Sequence, residues 1–226
     1  MSTLVETPSA ETTDDAAPAP RKRNAERTRK AILTAALKEF SQAGYAGARI
    51  EKIVKAAKCN IRMLYHYFGD KKGLYLAVLE GAYEDLRGRE AELEIDFDKP
   101  LEGFLALQRF TFDYFEKNPR IDGLLRNENL IQGKFVSQSR KVTETAFPLR
   151  RTIEHLIDSG QKQGVFRDNL DWAQIYVTIA AMSRFHLANG YSLSVTLDTD
   201  MSKPEWRRAR LAHALELLEG YLTKGK

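Results

Sequence analysis

The 226 residues, 43% hydrophobic, can bury a core and contain no run of about 18 apolar residues that would cross a bilayer. A single cysteine, Cys59, rules out a disulfide framework within them, and residues 1–20 lack the apolar centre of a secretory signal, so the expected compartment is the cytoplasm. The net charge of +4 is unevenly placed: residues 21–75 carry 14 Lys or Arg against 4 acids, and residues 76–226 carry 21 against 23, which points one part of the chain at a polyanion.

Residues 1–20 hold too few apolar groups to offset the entropy of ordering, and read as a disordered tail followed by a short basic arm, "RKRN", at 21–24. From about Glu26 to Gln42, Ile32, Leu33, Ala36, Leu37 and Phe40 recur at helical spacing until Gly44. A second short helix, from about Arg49 to Lys58, would bury Ile50, Ile53, Val54 and Ala57. After a break at Lys58, Cys59 and Asn60, the Asn60 side chain is placed to cap a third helix, Ile61 to Phe68. Asp70 is placed to cap the next, whose Leu74, Val78, Ala82 and Leu86 form an i, i+4 stripe. Pro100 and Pro119 each stand where a helix would begin. A helix from about Ser139 to Lys162 contains Pro148, which predicts a kink or a break. Asp171–Asn189 and Pro204–Leu222 complete an all-α fold of about nine helices; "YSLSVTLD" at 191–198 alternates like a strand but is read as a loop. The expected organisation is a tail at 1–20, a helix-turn-helix unit with its arm at 21–72, and a helical body at 73–226.

At about 100° per residue, Leu64, Phe68, Ile61 and Tyr65 fall on one side of the third helix, and Arg62, His66, Met63 and Tyr67 on the other. Packing Leu64 and Phe68 on the first two helices leaves a guanidinium, an imidazole, a phenol and a thioether outside, a face that suits a DNA major groove. Two helices joined by a three-residue turn, the second short and outward-facing, make a helix-turn-helix.

The sequence resembles the TetR family of transcriptional regulators. The likeness rests on Gly44 and Tyr45 after the first helix, Ile53 and Ala57 in the second, and Leu64-Tyr65-His66-Tyr67-Phe68 followed by Lys71, and it covers about residues 26–75. It implies phosphate contacts from Arg49, Asn60, Tyr65, Tyr67 and Lys71, and base-edge contacts from Ile61, Arg62, Met63 and His66. The chain departs from the family where Ala48 and Arg49 replace the usual Thr or Ser, and where Lys58-Cys59-Asn60 replaces Gly-Val-Ser. Lys58 must then accept a turn geometry that Gly enters more easily. Bulky Ile61, Arg62 and Met63 also replace small residues, which gives Arg62 the base-reading role.

The resemblance further implies a homodimer on a double-stranded, palindromic operator, repression, and release by a small-molecule effector. Apolar stripes assign the dimer interface to Ile179, Ser183 and Leu187 and to Leu211, Leu215, Leu218 and Leu222. Polar residues inserted among apolar ones assign the effector pocket to Arg126, Glu128, Asn129 and Gln132, with Phe112, Phe115, Trp172, Tyr176 and His186 as aromatic walls. The helix from about Lys71 would carry the signal to the head. The four histidines lie far apart and no HExxH, paired-Cys or nucleotide-loop pattern occurs, so no enzyme, metal or cofactor is expected. The alternative is a constitutive or architectural helix-turn-helix protein that senses nothing.

Overall fold

A computed structural model describes residues 20–223; residues 1–19, which hold nearly all of the expected tail, and 224–226 lie outside the described residues. The helices are α1 (Pro20–Gly47), α2 (Ile50–Ala56), α3 (Ile61–Phe68), α4 (Lys71–Ala91), α5 (Pro100–Lys117), α6 (Pro119–Leu130), α7 (Arg140–Thr145), α8 (Phe147–Lys162), α9 (Trp172–Thr196) and α10 (Pro204–Leu222), with a single 3-10 turn at Val136–Gln138. The fold is all-α.

Local chemistry sets most of these limits. Gly44, at φ 65°, breaks α1 where the apolar run ends. α1 begins at Pro20, so residues 21–24 extend that helix backwards instead of forming a separate arm. Pro148 sits in the first turn of α8, where a missing N–H costs nothing, and the expected 139–162 helix is divided there into α7 and α8. One reading is corrected: residues 191–196 are neither loop nor strand but the last turns of α9. Alternation of Ser with apolar residues fits period 2, yet a strand needs a partner edge, whereas prolonging an existing helix adds a hydrogen bond per residue.

The buried side chains form two clusters. The first joins Ile32, Ala36, Phe40, Ile53, Leu64 and Phe68 of the head to Leu74 and Val78 of α4 and Leu124 of α6, so head and body share one core. The second holds Phe104, Leu107, Ile153, Leu156, Ile175 and Leu218 within the body.

That second cluster removes Ile179, Leu218 and Leu222 from the expected dimer interface. Ile179, Leu218 and Leu222 are buried inside their own chain, and Ser183 accepts a hydrogen bond from the Gln108 side chain at 2.9 Å in the interior. Leu187, Leu211 and Leu215 are half-buried. The apolar side chains left outside are instead Val177, Phe185, Tyr191 and Val195 on α9, and Leu217 and Tyr221 on α10. Both helices are apolar on two faces, and the face with the expected residues is the one that packs at home.

Candidate nucleic-acid interface and interior cavity

The turn between α2 and α3 is built by three short-range bonds. Lys58 takes φ 52°, the left-handed conformation for which Gly is easier, and its N–H reaches the Lys55 carbonyl at 3.2 Å. Cys59 N–H donates to the Val54 carbonyl at 3.1 Å. Asn60 Oδ1 accepts from the Arg62 N–H at 2.8 Å and caps α3. The start of α2 lacks the usual capping hydroxyl because Arg49 stands there. Glu39 of α1 accepts the N–H of Arg49 itself at 3.1 Å, with Lys52 3.8 Å away, and Arg49 makes no side-chain cap to α2.

At eight residues, α3 is too short to persist alone and is pinned by Leu64 and Phe68. Arg62 and His66 point outward, and Ile61, Met63 and Tyr65 are 36, 36 and 44% exposed. Helical phase put Ile61 and Tyr65 on the packing side; a partner as short as α2 covers only the centre of that side and leaves its flanks open. Tyr67 is half-buried and packs edge-on against His66 and Phe68. Arg49, Lys52, Lys55 and Lys58 are exposed beside this face. The result is an acid-free helix flanked by cations.

The passage from α3 to α4 is tight. Asp70 caps α4 by accepting the Gly73 N–H at 2.7 Å. A Cβ on Gly73 would lie 2.1 Å from the Phe68 carbonyl oxygen, so only glycine lets the two helices meet this closely. Lys71 is less free than expected: its Nζ donates to the carbonyls of Ala48 at 2.6 Å and Ala46 at 3.3 Å, over the Tyr45 ring. Its ammonium ties α4 to the end of α1, which leaves one N–H for a phosphate.

In the body, the expected pocket residues separate. Glu128 is a structural anchor, buried, its Oε1 accepting the N–H groups of Phe135 at 2.6 Å and Val136 at 3.0 Å. Gln132, at φ 60°, makes the turn that brings those groups round. Trp172 packs outside the cavities under the Arg150 guanidinium. Asn129 and Arg126 border a shallow cleft against Ser41 and Gln42. Arg126 and His186 line an open groove of about 610 Å³ between α5, α6, α9 and α10, with Phe112 stacked behind His186 at 5.0 Å. Burial holds the His186 imidazole neutral, lowering its pKa to about 4.

Tyr176 faces a cleft of the bundle, and there it meets residues that sequence reasoning missed. Its hydroxyl accepts from Arg87 Nη2 at 2.7 Å, and Arg87 Nη1 lies 2.6 Å from Glu90 Oε2. Arg87 and Glu90 are 11 and 9% exposed. They divide a cavity of about 200 Å³, walled by Leu93, Ile95, Phe97, Leu107 and Leu149, from a smaller cleft of about 60 Å³ beside Tyr83, Thr111 and Arg184. Burial pushes the Glu90 carboxyl above its ordinary range, against the pull of Arg87. The signal was available: Glu90 continues the i, i+4 stripe of Leu74, Val78, Ala82 and Leu86, so a carboxylate stands at a core position.

Known proteins resemble this chain in sequence and fold. Residues 32–78 match the family described as "Bacterial regulatory proteins, tetR family", and residues 100–218 match "Tetracyclin repressor-like, C-terminal domain". The HTH-type transcriptional repressor NicS of Pseudomonas putida is 36% identical over 190 residues, covering 82% of this chain and 90% of NicS. The HTH-type transcriptional repressor SCO4008 of Streptomyces coelicolor is 29% identical over 163 residues, 72% of this chain and 80% of that one. Among solved structures, the transcriptional regulator SCO4942 of Streptomyces coelicolor superposes with a TM-score of 0.65 at 23% identity, covering 86% of this chain and 98% of that one.

Proposed function

The chain belongs to the TetR family of transcriptional regulators, and from that premise we propose that it is a dimeric repressor acting in the cytoplasm. It reads a two-fold symmetric operator through α3 and leaves the DNA when a small molecule fills the cavity beside Arg87. The observation that carries the DNA-reading part is the α3 face: Arg62, Met63, Tyr65 and His66 exposed on a helix that Leu64 and Phe68 hold from behind. Arg62 reads a base edge, where a guanidinium can bond guanine in a bidentate way. Arg49, the amide nitrogen of Asn60, the Tyr67 hydroxyl and the exposed lysines of α2 hold phosphates.

Repression agrees with the names of the two relatives above. Dimerisation is supported by the apolar stripe on α9 and α10, which would set two copies of α3 about 34 Å apart or at a multiple of it. The unit that reads DNA would be residues 21–72, and residues 73–226 would dimerise and sense. The cavity beside Arg87 is preferred to the larger groove because its wall sets a buried ion pair, Arg87 with Glu90, among apolar side chains. It also borders α4, which leads directly to the head. DNase footprinting on a selected operator, over a series of protein concentrations, tests this reading. Protection of both half-sites together, with two protomers per duplex, is the expected outcome; independent protection of single half-sites would overturn the dimer.

A further inference from the structure

We propose that the effector of the interior cavity is a compact carboxylic acid, with one ring or an equal bulk of apolar carbon against the cavity wall and its carboxylate on Arg87. The proposal rests on the reading of that cavity as the effector site.

The donor count comes first. A guanidinium offers five N–H groups. Arg87 spends one on Glu90 and one on the Tyr176 hydroxyl, and its buried Nε finds no partner. In the adjoining cleft the Asp122 carboxylate is already taken by Arg184 at 2.8 Å, and the Thr111 hydroxyl spends its proton on the Leu107 carbonyl. The buried Nε of Arg87 is therefore an unmet donor in the cavity wall. An amine would set its positive charge beside the Arg87 guanidinium, and a neutral hydrocarbon would leave the buried Nε unmet. A carboxylate meets it, in the fork geometry that suits a guanidinium.

Size and charge narrow the class further. An apolar void of about 150 Å³ holds a benzene molecule. One of about 200 Å³ walled by Leu93, Ile95, Phe97, Leu107 and Leu149 has room for a ring with a short acidic head. A second carboxylate beside Glu90 would leave an unbalanced buried charge. Burial already pushes the Glu90 carboxyl upward, and Glu90 is the charge with which an incoming carboxylate competes for Arg87.

Calorimetry on the full chain with benzoate, benzamide and benzylamine tests the class. Benzoate is expected to bind at least tenfold more tightly than either neighbour. Arg87→Met is expected to remove that binding, and Glu90→Gln, which keeps the arginine and removes the competing charge, to strengthen it several-fold. The glutamine variant keeps the test valid if the methionine variant does not fold. Preference for benzylamine or benzamide, no binding of benzoate at millimolar concentration, or weaker binding in Glu90→Gln would overturn the proposal. Leu107→Trp, which fills the cavity, separates the two claims. Binding that survives it would place the ligand elsewhere and overturn the effector-site reading itself, whereas loss of a preferred amine or amide in that variant would leave the reading standing and the acid class refuted.

Discussion

Asn127 on α6 donates its side-chain amide to the carbonyl of Ser41 on α1 at 2.9 Å, and to that of Phe40 at 3.1 Å, just before Gly44 breaks the helix. A body helix thereby supplies the donors that the end of α1 lacks. The same helix holds buried Asp122, whose carboxylate takes Arg184 of α9 at 2.8 Å. Because Arg184 lines the small cleft beside Arg87, α6 touches both a residue of that cleft and the head.

If α6 carries the signal, Asn127→Ala should cost about 1 kcal/mol in chemical denaturation. It should also shrink the ratio of operator affinities measured without and with effector. An unchanged ratio would remove α6 from the signal and leave α4 as the only route.

The turn before α3 offers a gain in stability. Lys58 at φ 52° carries a strain that Gly does not, so Lys58→Gly is expected to stabilise the fold by about 0.5–1 kcal/mol, and Lys58→Val to destabilise it. Both are read from denaturation midpoints. The glycine variant should still lose some DNA affinity evenly across sequences, with a flatter salt slope, because an exposed cation beside the phosphates is gone.

Phe185 lies 58% exposed in the middle of the α9 stripe. Phe185→Glu places a charge at the centre of the proposed interface and should yield a folded monomer by sedimentation, with operator affinity lowered at least tenfold. The same change at Ile179 would unfold the body, because that side chain belongs to its core. A dimeric Phe185→Glu protein would move the interface elsewhere.

Stability should fall on acidification partly through His186. Its imidazole is stacked on Phe112 and packed on Trp206, with both ring nitrogens unpartnered. Burial chiefly, then Arg210 and Arg207, lower its pKa to about 4, while Glu116 and Asp122 oppose them. The unfolded chain takes up the proton near pH 6.5, so between there and pH 4 the unfolded state binds more protons and folding weakens as the pH drops, by on the order of 2 kcal/mol. His186→Phe should be neutral or stabilising at pH 7.5 and should flatten the stability curve across that window.

What the sequence made legible was local. Asn60, Asp70, Gly44 and Pro148 act within a few residues of themselves, through caps, a positive φ and a missing donor, and each does in the structure what its chemistry implies. What it hid depends on which of two similar faces finds a neighbour. Ile179 and Val177 are equally apolar, and only the packing of α5 against α9 decides that the first is buried and the second exposed. Arg87 and Glu90 were hidden differently, since a charged pair three residues apart on a helix ordinarily reads as a solvated surface. Glu39 could not have been found at all, because its role at Arg49 spans ten residues and a change of helix.

The central claim is that α3 reads sequence, and the direct measurement is affinity selection of fragmented genomic DNA on the purified chain beside an Arg62→Ala control. A two-fold symmetric motif is expected with the native chain. The control should relax one symmetric position in each half-site, at a cost of about 1–3 kcal/mol on the native operator. Enrichment of DNA without any motif, or an identical motif and affinity in the control, would contradict it.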